Sequence, residues 1–132
     1  LASLYTGKQL TATGTANNAL TKGQPATAGW NTQQWVIEPV ANTEYVRLRN
    51  TGTNTYLNVT AQTESATVVT YALNTSYTSE EWIMEAVAGS SDFRFKNVWS
   101  GRYLTIADTS TYAAIYSQAL NTSWTSQRWI IQ

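Results

Sequence analysis

Apolar and polar residues alternate along this chain in short runs: Val46-Arg47-Leu48, Tyr56-Leu57-Asn58-Val59, Val68-Val69-Thr70-Tyr71 and Trp82-Ile83-Met84. A period of about two, carried by β-branched and aromatic residues, predicts strands with one face buried. Clusters of Asn, Gly, Thr and Ser separate the runs, as in Asn50-Thr51-Gly52-Thr53-Asn54. Such residues favour turns because they tolerate positive φ or bond their own backbone. No segment has helical periodicity. The pattern is itself repeated: Trp35, Trp82 and Trp129 stand 47 residues apart and each closes the same phrase, Gln33-Gln34-Trp35, Glu80-Glu81-Trp82 and Gln127-Arg128-Trp129. The same shift aligns Leu10, Leu57 and Leu104, and also Trp30, Tyr77 and Trp124. Residues 39–85 and 86–132 are identical at 16 of 47 positions, which makes a fixed internal period the first organisational fact of the chain.

Each unit reads as four strands, so three units give twelve, each unit offering one apolar face to a shared core. The expected fold is an all-β β-trefoil of three 47-residue repeats with pseudo-threefold symmetry, one domain over residues 1–132 with repeats 1–38, 39–85 and 86–132. A three-bladed or sandwich arrangement of the same strands is the alternative, although three blades fall below the usual four to eight of a propeller. The first repeat is truncated at its N-terminus, because Leu1 aligns with Leu48 and Phe95. Its first strand should shrink to Leu1–Leu4, and that corner should fray first.

Composition narrows the partner. Charged residues make up 12% of the chain and the formal net charge is zero, which leaves no electrostatic footprint for nucleic acid or an anionic membrane surface. No apolar run approaches membrane-spanning length, so no membrane insertion is expected. With no Cys there is neither a disulfide framework nor a thiolate metal site, and the Thr, Ser and Asn content fits a secreted, extracellular protein. The absence of His and Cys also leaves little for catalysis. The adjacent pair Glu80-Glu81 points to opposite faces of an extended strand, not to the facing carboxyls a glycosidase requires. Neither enzyme activity, a metal nor a cofactor is expected.

The Gln-x-Trp signature in a trefoil repeat, together with the Gly-x-x-Leu turns at Gly7–Leu10 and Gly101–Leu104, resembles the ricin B-type (R-type) lectins and carbohydrate-binding module family 13. The run from Leu120 to Trp129 also looks like the trefoil glucan-binding family 92. The resemblance covers all 132 residues and implies sugar binding without catalysis. Ricin-type repeats usually carry Asp after the second-strand Leu, where this chain has Thr11, Asn58 and Thr105; only Asn58 keeps a strong polar group there. The aromatic platform of those lectins falls near Gln24, Tyr71 and Gln118, of which only Tyr71 is aromatic. By that template the middle repeat is the best equipped. Glu80 replaces the signature Gln in the middle copy, which alters the motif's structural bond there.

Among the aromatics, Trp35, Trp82 and Trp129 read as buried scaffold, each able to bury some 150–250 Å². Trp30, Tyr77 and Trp124 stand five residues earlier in polar loops. They are either stacking platforms for a pyranose ring or aromatics that pin the loops against the barrel. Asn74 and Asn121 recur in register as candidate hydrogen-bonding groups or as turn formers. Asp108, near Tyr112 and Tyr116, is a candidate for a bidentate pair of sugar hydroxyls or a solvated turn acid, and Trp99, present in the third copy alone, is a lip of the third site or a local plug. The expected function is non-catalytic carbohydrate binding by a free lectin or a module of a larger secreted carbohydrase. Up to three weak, multivalent sites would use aromatic stacking and amide or carboxylate hydrogen bonds. The alternative is a protein-binding trefoil such as a protease inhibitor or toxin-targeting subunit.

Overall fold

In a computed structural model covering residues 1–132, twelve strands form one hydrogen-bonded sheet. The first copy supplies β1 (Ala2–Ser3), β2 (Gln9–Ala12), β3 (Ala19–Gln24) and β4 (Trp35–Pro39). The second supplies β5 (Val46–Asn50), β6 (Tyr56–Val59), β7 (Ala66–Tyr71) and β8 (Trp82–Ala86), and the third β9 (Phe93–Asn97), β10 (Tyr103–Ile106), β11 (Ala113–Gln118) and β12 (Trp129–Ile130). The pairings β4–β5, β5–β8, β8–β9, β9–β12 and β12–β1 run antiparallel round a six-stranded barrel that stays open between β1 and β4. The hairpins β2–β3, β6–β7 and β10–β11 form a second layer, in which β3, β7 and β11 pair with one another in a triangle.

The repeated apolar positions meet in the centre. Leu10, Leu57 and Leu104 are wholly buried, with Leu48, Phe95, Val68, Ile115, Trp82 and Trp129 packed around them. Each signature indole also holds its copy together by donating Nε1–H to the backbone oxygen of the repeated Leu: Trp35 to Leu10 at 2.9 Å, Trp82 to Leu57 at 3.1 Å and Trp129 to Leu104 at 3.0 Å. A buried indole N–H without an acceptor would cost about 1–3 kcal/mol, so this bond is what allows so large a side chain in the core. Trp35 departs from the expected burial and is only half-buried. Val46 pairs with Trp82 and Phe93 with Trp129 across the barrel, whereas Trp35 pairs only with Asn50 of its own hairpin.

Thr21 occupies the place of Val68 and Ile115 in the first copy and is equally enclosed, its hydroxyl donating to Val68 O at 2.7 Å. The closing corner is the thinnest part of the barrel. β1 and β12 share two residue pairs, where β4–β5 and β8–β9 share five each.

Candidate functional site

Trp30, Tyr77 and Trp124 each begin a three-residue 3-10 helix, at Asn31–Gln33, Thr78–Glu80 and Thr125–Gln127. Their backbones superimpose in character, with φ/ψ of −83/99°, −91/103° and −92/111°. In each, the aromatic's N–H donates three residues back, to Thr27 O, Asn74 O and Asn121 O, and its carbonyl accepts from the residue three ahead. Fixed at both ends, the rings stand out into solvent at 46%, 40% and 42% exposure, whereas Trp82 and Trp129 have none. Of the two readings open for these aromatics, the geometry gives rings presented at the surface and not folded over the barrel.

Each ring walls a cleft. Trp30 lines one of about 500 Å³ with Thr11, Thr13, Gln24 and Asn31; Tyr77 one of about 400 Å³ with Asn58, Thr60, Ser76 and Ser79; Trp124 one of about 580 Å³ with Thr105, Tyr116, Gln118 and Ser126. The opposite lip comes from the following copy, at one repeat position: Gly52 facing Trp30, Trp99 facing Tyr77 and Tyr5 facing Trp124. These lips ride on one turn type. The Asn50 and Asn97 carboxamides accept from backbone N–H groups of the turn and donate across to Thr32 O and Ser79 O, at 2.8 and 2.9 Å. The turn closes through a left-handed residue at one position in all three copies, Gly7, Asn54 and Gly101. Gly52 is a necessity of the first cleft: a Cβ there would lie 2.8 Å from Thr32 N and 3.0 Å from Asn31 C. Tyr112, from the third copy, lines the first cleft, and Asn18, from the first copy, lines the middle one.

All three clefts are thus lined by aromatic rings from two copies, and in the middle and third clefts the lip itself is aromatic. Trp99, read from the sequence as either a lip of the third site or a local plug, lies at the middle cleft, because the turn after β9 leans over the neighbouring copy. Tyr5, Gly52 and Asn18 were outside the sequence-derived set. The lip residues share a 47-residue register, but their types differ and the cleft each serves belongs to the preceding copy.

Not one Asp, Glu, Lys or Arg lines any of the three clefts. This corrects the expectation of carboxylate ligands. Asp108 lies outside, its Oδ1 accepting from Ser110 N at 2.9 Å and Ser110 Oγ at 2.5 Å, and these bonds hold its carboxyl below the usual range. Asn74 and Asn121 are corrected as well. Their Oδ1 atoms accept from N and Oγ of Ser76 and Ser123, so these side chains close local turns and line no cleft. Tyr71 packs against Tyr77 with ring centroids 5.9 Å apart and supports that ring instead of lining the cleft. Gln24 and Gln118 do reach the first and third clefts, and Gln118 Nε2 is tied to Ser65 Oγ at 3.0 Å.

Beneath the clefts the signature Gln ties loop to strand. Gln33 Oε1 accepts from Thr27 N, and its Nε2 donates to Thr11 Oγ1 and Pro25 O; Gln127 repeats this with Asn121 N, Thr105 Oγ1 and Ala119 O. Thr11 and Thr105 in turn donate to Gln9 O and Tyr103 O, so both hydroxyls are engaged within the protein. The middle copy differs. Glu80 Oε1 accepts from Asn74 N at 3.0 Å, but Glu80 Oε2 and Asn58 Oδ1 are both buried without a hydrogen-bond partner. Burial pushes the Glu80 carboxyl up to about 7, and Glu81 adds to the rise against the opposing Asn74 N–H and Arg47 charge.

No family model matches the sequence, and no curated protein matches it either. Solved structures do. The designed three-fold symmetric protein ThreeFoil matches with a TM-score of 0.89 at 19% identity, over 98% of this chain and 93% of that one. The fold is a β-trefoil. The same trefoil matches an exo-β-1,3-galactanase from Clostridium thermocellum with a TM-score of 0.87 at 18% identity, over 98% of this chain but 28% of that chain. It also matches the Rhizoctonia solani agglutinin with a TM-score of 0.84 at 16% identity, over 98% and 89% of the two chains. At such identities the likeness is one of trefoil architecture.

Proposed function

We propose that this trefoil is a non-catalytic carbohydrate-binding protein, a lectin or polysaccharide-binding module, with its sites in the three clefts. The observation that carries the reading is the lining: each cleft joins an exposed aromatic ring to hydroxyls and carboxamides, with no ionic side chain in any of them. A neutral polyhydroxylated ligand fits that lining. Its C–H face stacks on Trp30, Tyr77 or Trp124, and its hydroxyls pair with groups such as Asn58, Gln24 and Gln118. The facing carboxyl pair that most glycosidases use is not part of this lining. The agglutinin and the galactanase among the trefoils of similar structure support a carbohydrate partner, and the ricin B-type resemblance of the Gln-x-Trp repeats points the same way. A place within a larger secreted carbohydrase is compatible with the fold match to one part of the galactanase.

An open site with one or two stacking rings should bind in the millimolar to tens-of-micromolar range, about 4–6 kcal/mol. Three sites on one rigid body raise the avidity for a repeating polysaccharide or a glycan-covered surface by a factor of about a hundred or more. The test is a glycan and polysaccharide array containing β-glucans, xylan, galactans and galactose-terminated glycans, followed by calorimetry of the best binder. A stoichiometry near three supports equivalent use of the clefts, and a value near two points to the pair with aromatic lips. Silence across the whole array would remove the carbohydrate reading and leave a protein as the partner.

A further inference from the structure

The one break in threefold symmetry that reaches a cleft from below is the Glu80–Asn58 pair, and it rests on two orphaned acceptors. Glu80 Oε1 accepts the same loop N–H as Oε1 of Gln33 and Gln127, so Glu80 Oε2 stands where those residues carry Nε2. In the outer copies that Nε2 donates to Thr11 Oγ1 or Thr105 Oγ1, the register position of Asn58. An oxygen therefore replaces a donor, and the register position of that donor's acceptor holds a carboxamide with its oxygen inward; both oxygens lie buried without a partner. Two acceptors in that relation need one proton between them or a reversal of the amide. Asn58 also lines the cleft, where its Nδ2 has no hydrogen bond within the protein.

We infer that Glu80 is a positioning residue that selects which face of the Asn58 carboxamide the middle cleft offers to a ligand. Protonated Glu80 donates Oε2–H to Asn58 Oδ1, and Nδ2 faces the cleft as a donor. Ionised Glu80 accepts from Nδ2 after the amide turns over, and Oδ1 faces the cleft as an acceptor. The second acceptor near Oε2, by equivalence with Pro25 O and Ala119 O, is Ala72 O. Ala72 lies in an exposed stretch where water can serve it, so the buried Asn58 oxygen has first need of the proton. The charged groups facing Glu80 are Arg47, which favours the ionised form, and Glu81, which opposes it; these two pair with each other at 3.2 Å. Neither outer copy can switch, since Gln33 and Gln127 carry permanent donors. The cleft role rests on the carbohydrate reading above, while the Glu80–Asn58 coupling does not.

The experiment is a ligand-free NMR titration of the full chain from pH 5 to 9, following the Glu80 carboxyl carbon and the Asn58 side-chain amide in the wild type and in Glu80→Gln. The expected result is that the Asn58 amide resonances move with the same midpoint as the Glu80 carboxyl, well above 4.5. In Glu80→Gln they should stay at their low-pH positions throughout, because a permanent donor replaces the proton. A Glu80 midpoint near 4.5, or Asn58 resonances that ignore the titration, would overturn the inference. Calorimetry with a soluble β-1,3-galactan oligosaccharide at pH 5.5 and 8.5 then reads the cleft. One exchanged hydrogen bond should change the affinity of the middle site about three- to tenfold in the wild type and leave Glu80→Gln constant. If no glycan binds while the coupled titration is present, the function reading fails and the switch stands.

Discussion

Gln9 donates its carboxamide Nε2 to Gln132 Oε1 at 2.6 Å, tying the first copy to the third where the other copies join tyrosine to glutamate. The equivalents are Tyr56 Oη to Glu38 Oε1 and Tyr103 Oη to Glu85 Oε1, both at 2.8 Å, and each spans an intact five-pair hairpin. At the Gln9–Gln132 corner the five-pair hairpin is replaced by the two-pair ladder of β1 and β12.

That corner should therefore open first. Amide hydrogen exchange is expected to be about tenfold or more faster at Ala2, Ser3 and Ile130 than at the central residues of β5, β8 and β9. Equal protection round the barrel would show that the short pairing is as strong as the full hairpins.

Glu80 gives stability a pH dependence with a definite sign. Its folded-state value of about 7 lies above the ordinary 4.5, so the folded chain keeps a proton that the unfolded chain has lost. The stabilisation is complete below about pH 4.5 and is lost as pH rises through about 7. Between pH 5 and 8.5, denaturant unfolding of the wild type should lose stability on the order of 1–3 kcal/mol that Glu80→Gln retains. Parallel profiles for the two proteins would remove Glu80 as the cause.

Replacing Gly52 by Ala should cost about 1–3 kcal/mol, because the new methyl meets the backbone of Asn31 and Thr32 as well as Asn31 Oδ1, and the backbone cannot swing aside as a side chain can. The strain falls on the turn that carries Trp30, so NMR shift changes should concentrate in the first cleft. Changes of the same size around Tyr77 or Trp124 would contradict this placement.

The two sets of repeated aromatics should part in opposite directions. Trp82→Phe leaves Leu57 O without its donor and a gap in the core, for a loss of about 2–4 kcal/mol. Trp30→Ala, Tyr77→Ala and Trp124→Ala remove half-exposed rings and should change stability by no more than about 0.5–1 kcal/mol each. On the carbohydrate reading they should lower glycan binding stepwise, one cleft at a time. Loss through a single substitution would favour one protein-binding loop over three sugar sites.

Most of the fold was legible because the period of 47 residues and the period-two runs agree at Leu10, Leu57 and Leu104, all of which reach the centre. The loop aromatics were legible for the same reason: Trp30, Tyr77 and Trp124 share one backbone conformation, so register alone brings them to equivalent places. The lips were not. Tyr5, Gly52 and Trp99 serve the cleft of the preceding copy, a relation set by how the turns lean across the barrel. Asn74 and Asn121 misled because short-range bonds to Ser76 and Ser123 win over an outward pose. Glu80 was visible as a departure from the signature, but its meaning needed the orphaned oxygen of Asn58.

The first and middle clefts each take residues from all three copies, and the third needs its neighbour's lip. A lone 47-residue peptide of this kind would carry half-sites only, whereas three identical peptides closing into a ring would gain three whole ones in a single step. For such a chain, closing the ring and completing the clefts are one event.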